Sequence, residues 1–158
     1  MSTVPLESRI RKAAQQDTTL ASLLTSTGSG KPFRWCTNGW LLQGLKQLLL
    51  AENKAVVVTQ LISNPSTYVA AGRMPTSWAR VQFTIWGGQY TAGAQAAEDV
   101  GAALKAFFAT LKLSAVNPDV AQANYVANER ASLFFHTDTP IYQKIIDGMI
   151  WSDDTILP

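Results

Sequence analysis

A chain of 158 residues with 13 Lys or Arg, 11 Asp or Glu and a formal charge of +2 carries too little charge to read as a nucleic-acid binder. Hydrophobic residues at 47% against charged residues at 15% leave little charge to spread over a monomer, so part of the apolar surface is expected to be covered by association between subunits. The lone Cys36 excludes an intrachain disulfide, no run of about twenty apolar residues offers a membrane span, and the start Met1 to Glu7 lacks the basic region and apolar core of a secretion signal, which points to synthesis in the cytoplasm.

The first helix is expected from near Val4, with Pro5 in its first turn and Leu6, Ile10, Ala13 and Ala14 as its apolar stripe. Asp17 suits the cap of a second, short helix that runs through Leu24. The following TSTGSGKP, residues 25–32, has the composition of a linker. Its Gly28, Gly30 and Lys31 miss the spacing of a phosphate-binding loop, and no strand precedes them. In residues 38–53 (NGWLLQGLKQLLLAEN), Trp40, Leu41, Leu45, Leu48 and Leu49 fit a short helix capped by Asn38, although Gly39 and Gly44 weaken it. Only Lys46 and Lys54 stand near that stripe to meet lipid headgroups, so it reads as packed core.

Residues 63–76 (SNPSTYVAAGRMPT) are long for a hairpin connection and contain Tyr68, Arg73 and Met74, residue types enriched at interfaces. They are nominated as a contact arm. Residues 77–86 place Val81, Phe83 and Ile85 on one face and Arg80, Gln82, Thr84 and Trp86 on the other, the alternation of a half-buried strand. Gly87 and Gly88 punctuate the chain, and Thr91 opens a helix that is expected to reach about Leu113. Ala97, Val100, Leu104, Phe107 and Leu111 form its apolar stripe, while Gln95, Glu98, Asp99, Lys105 and Lys112 are mostly placed to face water. Asn117 and Pro118 end that segment.

Two extended runs follow, Val120 to Phe135 and Ile141 to Trp151, joined by a turn at Asp138, Thr139 and Pro140. In the second, Tyr142, Lys144, Ile146 and Ile150 alternate against Ile141, Gln143, Ile145, Asp147, Met149 and Trp151, so it is apolar on both sides and expects two covers, one of them another subunit. The charge is also uneven. Residues 1–54 hold seven Lys or Arg against three acids and residues 55–158 six against eight, net +4 and −2, a division that suits complementarity between neighbouring copies. Lys31 and Arg34 in the basic front therefore join Tyr68, Arg73, Met74 and Trp151 as candidate subunit or partner contacts.

No residue set for catalysis, a cofactor or a metal emerges. Cys36 would need a base, and the single histidine, His136, reads as a turn residue beside Asp138 with no serine elbow to serve. Glu98-Asp99 and Asp153-Asp154 are neighbours whose side chains diverge, so they read as solvated acids. The aromatic residues read as core and interface packing rather than a ligand stack. The elements add up to a single domain over residues 1–158 with an α+β fold: an antiparallel or mixed sheet of about four strands with helices packed on one face.

Several segments together resemble a known family: Asp17-x-x-Leu20-x-x-Leu23-Leu24, Lys54 to Ile62, Ala79 to Phe83, Glu98 to Phe107, and Tyr142-Gln-Lys-Ile-Ile-Asp147-Gly-Met-Ile-Trp151. Their order and spacing are similar to the tail completion, or tail terminator, proteins of long-tailed bacteriophages and prophages. Residues 25–54 are longer than that family's connection, and Gln143 and Lys144 replace an Arg-rich start of its last strand. The resemblance implies a structural protein without enzymatic activity or cofactor, located at the head-proximal end of the virion tail. It implies a homo-oligomeric ring, usually of six, that caps the tail tube, ends tail polymerisation and joins the filled head. Its partners would be further copies of itself, the tail tube protein and the head-tail connector, with no membrane and no sequence-specific nucleic acid. The alternatives are another head-tail adaptor or tail tube subunit, or a small-ligand-binding or enzymatic α+β domain with its pocket between helix 91–113 and the sheet.

Overall fold

A computed structural model describes residues 6–25, 33–37, 54–63, 68–69, 72–73, 76–111, 124–136 and 139–153. Helix α1 (Leu6–Gln16) buries Leu6, Ile10 and Ala14 at helical spacing. Helix α2 (Thr18–Leu24) starts where expected, because the Asp17 carboxylate accepts the Leu20 N–H at 2.9 Å. After strand β1 (Trp35–Cys36) come β2 (Val56–Ser63), the short pair β3 (Tyr68–Val69) and β4 (Gly72–Arg73), and the long β5 (Thr76–Gln89). Helix α3 (Tyr90–Thr110) leads to β6 (Tyr125–His136) and β7 (Thr139–Asp153).

Five strands form one mixed sheet in the order β1-β2-β5-β7-β6, with β1 parallel to β2 and every other neighbour antiparallel. The fold is α+β with one strand more than expected. That strand, β1, has two residues and lies inside the stretch read as connection; two residues are too few to show a period. The arm at 63–76 is also more regular than a loop, since β3 and β4 pair with each other as a separate two-stranded ribbon. The linker glycines and the helix expected in 38–53 lie outside the described residues, as do Asn117 and Pro118.

Gly87 and Gly88 do not end their strand. They sit within β5, where the pairing with β7 shifts register between Trp86 and Gln89. A Cβ on Gly87 would lie 2.1 Å from the Gly93 carbonyl oxygen, so the strand end and the first turn of α3 meet backbone to backbone. At its other end α3 stops at Thr110, and the Asn124 side-chain amide donates to the carbonyls of Phe108 at 3.1 Å and Leu111 at 2.7 Å. The Phe108 carbonyl also accepts the Leu111 N–H at 3.3 Å, so the amide adds to the closing turn of the helix.

The three described helices cover one face of the sheet. Leu6, Ile10, Leu20, Leu24, Val100, Leu104 and Phe107 join one buried cluster with Val57 of β2, Val81, Phe83 and Ile85 of β5, and Ile146 and Ile150 of β7. Phe83, 1% exposed, is its centre: Trp35 meets it edge-on at 6.0 Å and Phe108 edge-on at 5.7 Å, and Phe33 stacks on Trp35 at 6.0 Å. Arg11 of α1 lies 5.4 Å from the centre of the Phe33 ring and donates from Nε to the Trp35 carbonyl at 3.1 Å, which fastens the helix to β1. A smaller cluster of Cys36, Val56, Val58 and Ile141, with Trp86 against it, is buried on the other face.

Phe83→Ala empties the contact between β1 and α3 and is expected to lower stability by about 3–5 kcal/mol. Urea denaturation measures it, and a loss below about 1 kcal/mol would contradict the central place given to this ring.

Candidate functional site

Charged side chains gather on both faces of the sheet around β7. On the helix face, Lys144 is in register with Ile85 of β5 and Ala131 of β6, among apolar neighbours. Gly101 of α3 makes room for it, because a Cβ there would stand 3.0 Å from the lysine Cδ. With its side chain 8% exposed, the Lys144 ammonium lies 2.6 Å from Oε2 of Glu98 on α3 and 2.6 Å from Oε1 of Glu129 on β6. The Tyr142 hydroxyl donates to the other Glu98 oxygen, and Lys105, two turns along α3, holds both Glu129 oxygens at 3.1 and 3.2 Å.

The electrostatics follow from these contacts. The Lys144 hydrogen bond, then the Tyr142 hydroxyl, holds the Glu98 carboxyl below its usual range, and Lys144 chiefly does the same for Glu129. Tyr142 is pushed up by its bond to Glu98. Burial works against the Lys144 ammonium, but the bonds to Glu129 and Glu98 outweigh it and the lysine is raised. A nucleophilic or Schiff-base lysine needs the opposite shift. The cluster therefore keeps charges and protons where they are, and it works as a clamp joining α3 to β6 and β7.

On the other face, Asp147 stands in register with Gln82 and Asn128, and its side chain is 4% exposed. Its Oδ2 accepts from Arg80 of β5 at 3.0 Å and lies 3.9 Å from Arg130 of β6, while Oδ1 has no hydrogen-bond partner among the described residues. Both arginines are about half exposed, so this face has a buried acid under two accessible guanidinium groups.

The residues singled out from the sequence do not come together as one site. Tyr68 and Arg73 face each other in the register of the β3–β4 ribbon, and Trp151 is paired with Trp78 in the β5–β7 ladder. Lys31 and Met74 lie outside the described residues. Arg34 is a correction: it is 4% exposed, and its guanidinium donates to the Ala55 carbonyl at 2.9 Å and to the Leu23 carbonyl. Its own backbone joins Leu24 to Val57, so it ties α2 to the sheet from inside. Cys36 is buried in the smaller cluster. His136 closes the β6–β7 ladder opposite Thr139 rather than sitting in the turn.

Glu98 differs from the expected free acid in being bonded to Tyr142 and Lys144, although its side chain stays 45% exposed; Asp99 accepts from Gln95 at 2.8 Å. The readable signals were Lys144 and Asp147 interrupting an apolar strand, and Glu98, Gly101 and Lys105 spaced along one side of the helix. A cleft of about 300 Å³ opens between α2, α3 and the start of β2, lined by Ser22, Leu23, Arg34, Lys54, Ala96 and Asp99 among others. Among the described residues no group of three or more His, Cys, Asp or Glu side chains could hold a metal, and no helix is long and apolar enough to cross a membrane. Comparison with protein-family models and with characterised proteins finds no match for this chain.

The clamp has a pH signature. Glu98 and Glu129, lowered on folding, contribute stability that is present above their unfolded value of 4.5 and lost as pH falls through their folded values. Lys144 and Tyr142, raised on folding, contribute stability present below 10.5 and 10.0 and lost as pH rises through theirs. Lys144→Met is expected to cost about 1–3 kcal/mol near neutral pH, less than a fully buried pair because solvent screens the two glutamates. Urea titrations at several pH values should show a shallower loss toward acid in the variant than in the parent; parallel curves would exclude the clamp.

Proposed function

We propose that this chain is a structural virion protein of the tail terminator kind. Copies of it close into a ring, of six by the family resemblance, on the finished tail tube, stop tail polymerisation and offer the head-tail connector its surface. The observation that carries the reading is the continuity between the family-like segments and one core. Asp17 to Leu24 is a capped helix, Val56 to Ile62 lies in β2, Ala79 to Phe83 in β5, Glu98 to Phe107 in α3 and Tyr142 to Trp151 in β7. β2 pairs with β5, and the buried stripe of α3 lies on the alternate residues of β5 and β7, while the helix Asp17 to Leu24 joins the same buried cluster.

The physical demand on such a protein is a heterologous contact that closes, with different faces left for tube and connector. A chain with 15% charged residues, charged clusters that act as clamps and a separate β-ribbon suits that demand better than it suits turnover of a substrate. The cleft lined by Arg34, Lys54 and Asp99 supports a second reading, a binding domain for a small polar ligand.

Negative-stain microscopy of the purified protein is expected to reveal rings with a central channel; protein that stays monomeric at high concentration, with a small ligand in the cleft, would favour the second reading. In the parent phage or prophage, loss of the protein is expected to yield tails of irregular and excessive length, measured in micrographs of lysates. Tails of normal length that lack only another appendage would count against the proposal.

A further inference from the structure

The two edges of the five-stranded sheet are finished differently. On the β2 side, β1 covers Val57 and Val58, and the Val57 N–H donates to the Arg34 carbonyl at 3.1 Å. Further along that edge, Glu7 of α1 reaches down and accepts the Leu61 N–H at 3.2 Å. That edge is closed. On the other side, β6 is the last strand, and no described element lies beyond it.

β6 is also regular where it is open. Its register with β7 shifts between Val126 and Asn128 and then runs without interruption to His136. Every side chain from Ala127 to Leu133 is exposed, and Leu133, at 59%, is one of two large apolar residues exposed among those described. Hydrogen bonding alternates along each strand, so the Val57 N–H pointing at β1 sets the direction of all the others across the sheet. Even residues of β2 face β5, odd residues of β5 face β7, and odd residues of β7 face β6. Glu129, Ala131 and Leu133 are left with N–H and C=O groups pointing outward. The charges that commonly guard an edge are engaged along the sheet here, Glu129 with Lys144 and Lys105, and Arg130, half exposed, at 3.9 Å from Asp147.

We propose that β6 is an acceptor edge, to which an extended segment of a second copy of this chain adds as a further strand, and that the β3–β4 ribbon is the donor. The proposal rests on the ring reading. A contact that repeats around a ring is heterologous, so acceptor and donor must be different surfaces of one chain. The closed β2 edge cannot donate. The ribbon can, because it belongs to no larger sheet and its outer edges are unpaired among the described residues. Backbone bonds would supply the affinity, and Leu133 the apolar contact beside them.

Residue-resolved amide exchange of the unmodified protein tests this directly. Glu129, Ala131 and Leu133 are expected to exchange freely in dilute monomer and at least about tenfold more slowly in assembled rings, while Arg130 and Ser132, bonded to β7, are slow in both. Ala131→Pro removes an outward N–H and leaves the ladder to β7, so it is expected to yield folded protein that no longer assembles. If that variant fails to fold, the exchange data decide. Rings whose three outward amides exchange as in monomer, or rings formed normally by Ala131→Pro, overturn the acceptor edge and leave the ring reading standing. Protein that is monomeric at every concentration overturns both. An Arg73→Cys/Leu133→Cys pair should cross-link neighbouring subunits on oxidation; assembled rings without that link overturn the ribbon as donor.

Discussion

Most of the molecule depends on the register between β5 and β7, which runs from Thr76 opposite Asp153 to Gln89 opposite Ile141. Side chains alternate along a strand with a period of two, so a slip of one residue would exchange the faces of β7. Lys144 would leave the two glutamates that neutralise it, and Asp147 would enter the apolar cluster around Phe83. Either event strands a charge in a dry environment, which costs several kcal/mol per ion even after relaxation. The apolar residues of β7 alone would resist the slip less, because they lie on both faces.

The two charged residues thus act as opposed markers on one strand. Lys144 specifies the helix side through Glu98 of α3 and Glu129 of β6, so the same side chain aligns a helix and two strands. Asp147 specifies the opposite side through Arg80 and Arg130, which come from the strands on its left and right. Well-packed hydrophobic residues in these places would often be equally or more stabilising, so the gain from buried ion pairs lies in uniqueness of arrangement rather than in stability alone. The same contacts hold the Glu98 and Glu129 carboxyls below their ordinary range and Lys144 and Tyr142 above theirs, which favours the charged carboxylates and ammonium that the arrangement uses.

The aromatic line from Phe33 through Trp35 and Phe83 to Phe108 connects elements that are distant in sequence. It lets a two-residue strand, which would be negligible by itself, hold its place beside β2. Arg11 and Arg34 assist, Arg11 donating to the Trp35 carbonyl of the short strand and Arg34 to the carbonyls of Leu23 near the end of α2 and Ala55 just before β2. With one edge closed in this way and no described element beyond the other, the sheet has a direction, and a directional sheet is what a proposed ring of identical subunits requires.

Sequence alone determined those features that repeat along the chain. The stripe of α3, the alternation of β5 and β7, and the Asp17 cap are local patterns, each set by a period or by one side chain and its own backbone. The α+β class follows from their order. Only the tertiary structure decided what depends on meetings between distant segments: β1 beside β2, Arg34 turned inward, and Glu98 bonded to Lys144 across 46 positions of chain. The continuation of β5 through Gly87 and Gly88 belongs with these, because a glycine pair reads as a break until α3 is seen pressing on it. A buried charge has no period to announce it; its partner is chosen by packing, and packing is a property of the folded chain as a whole.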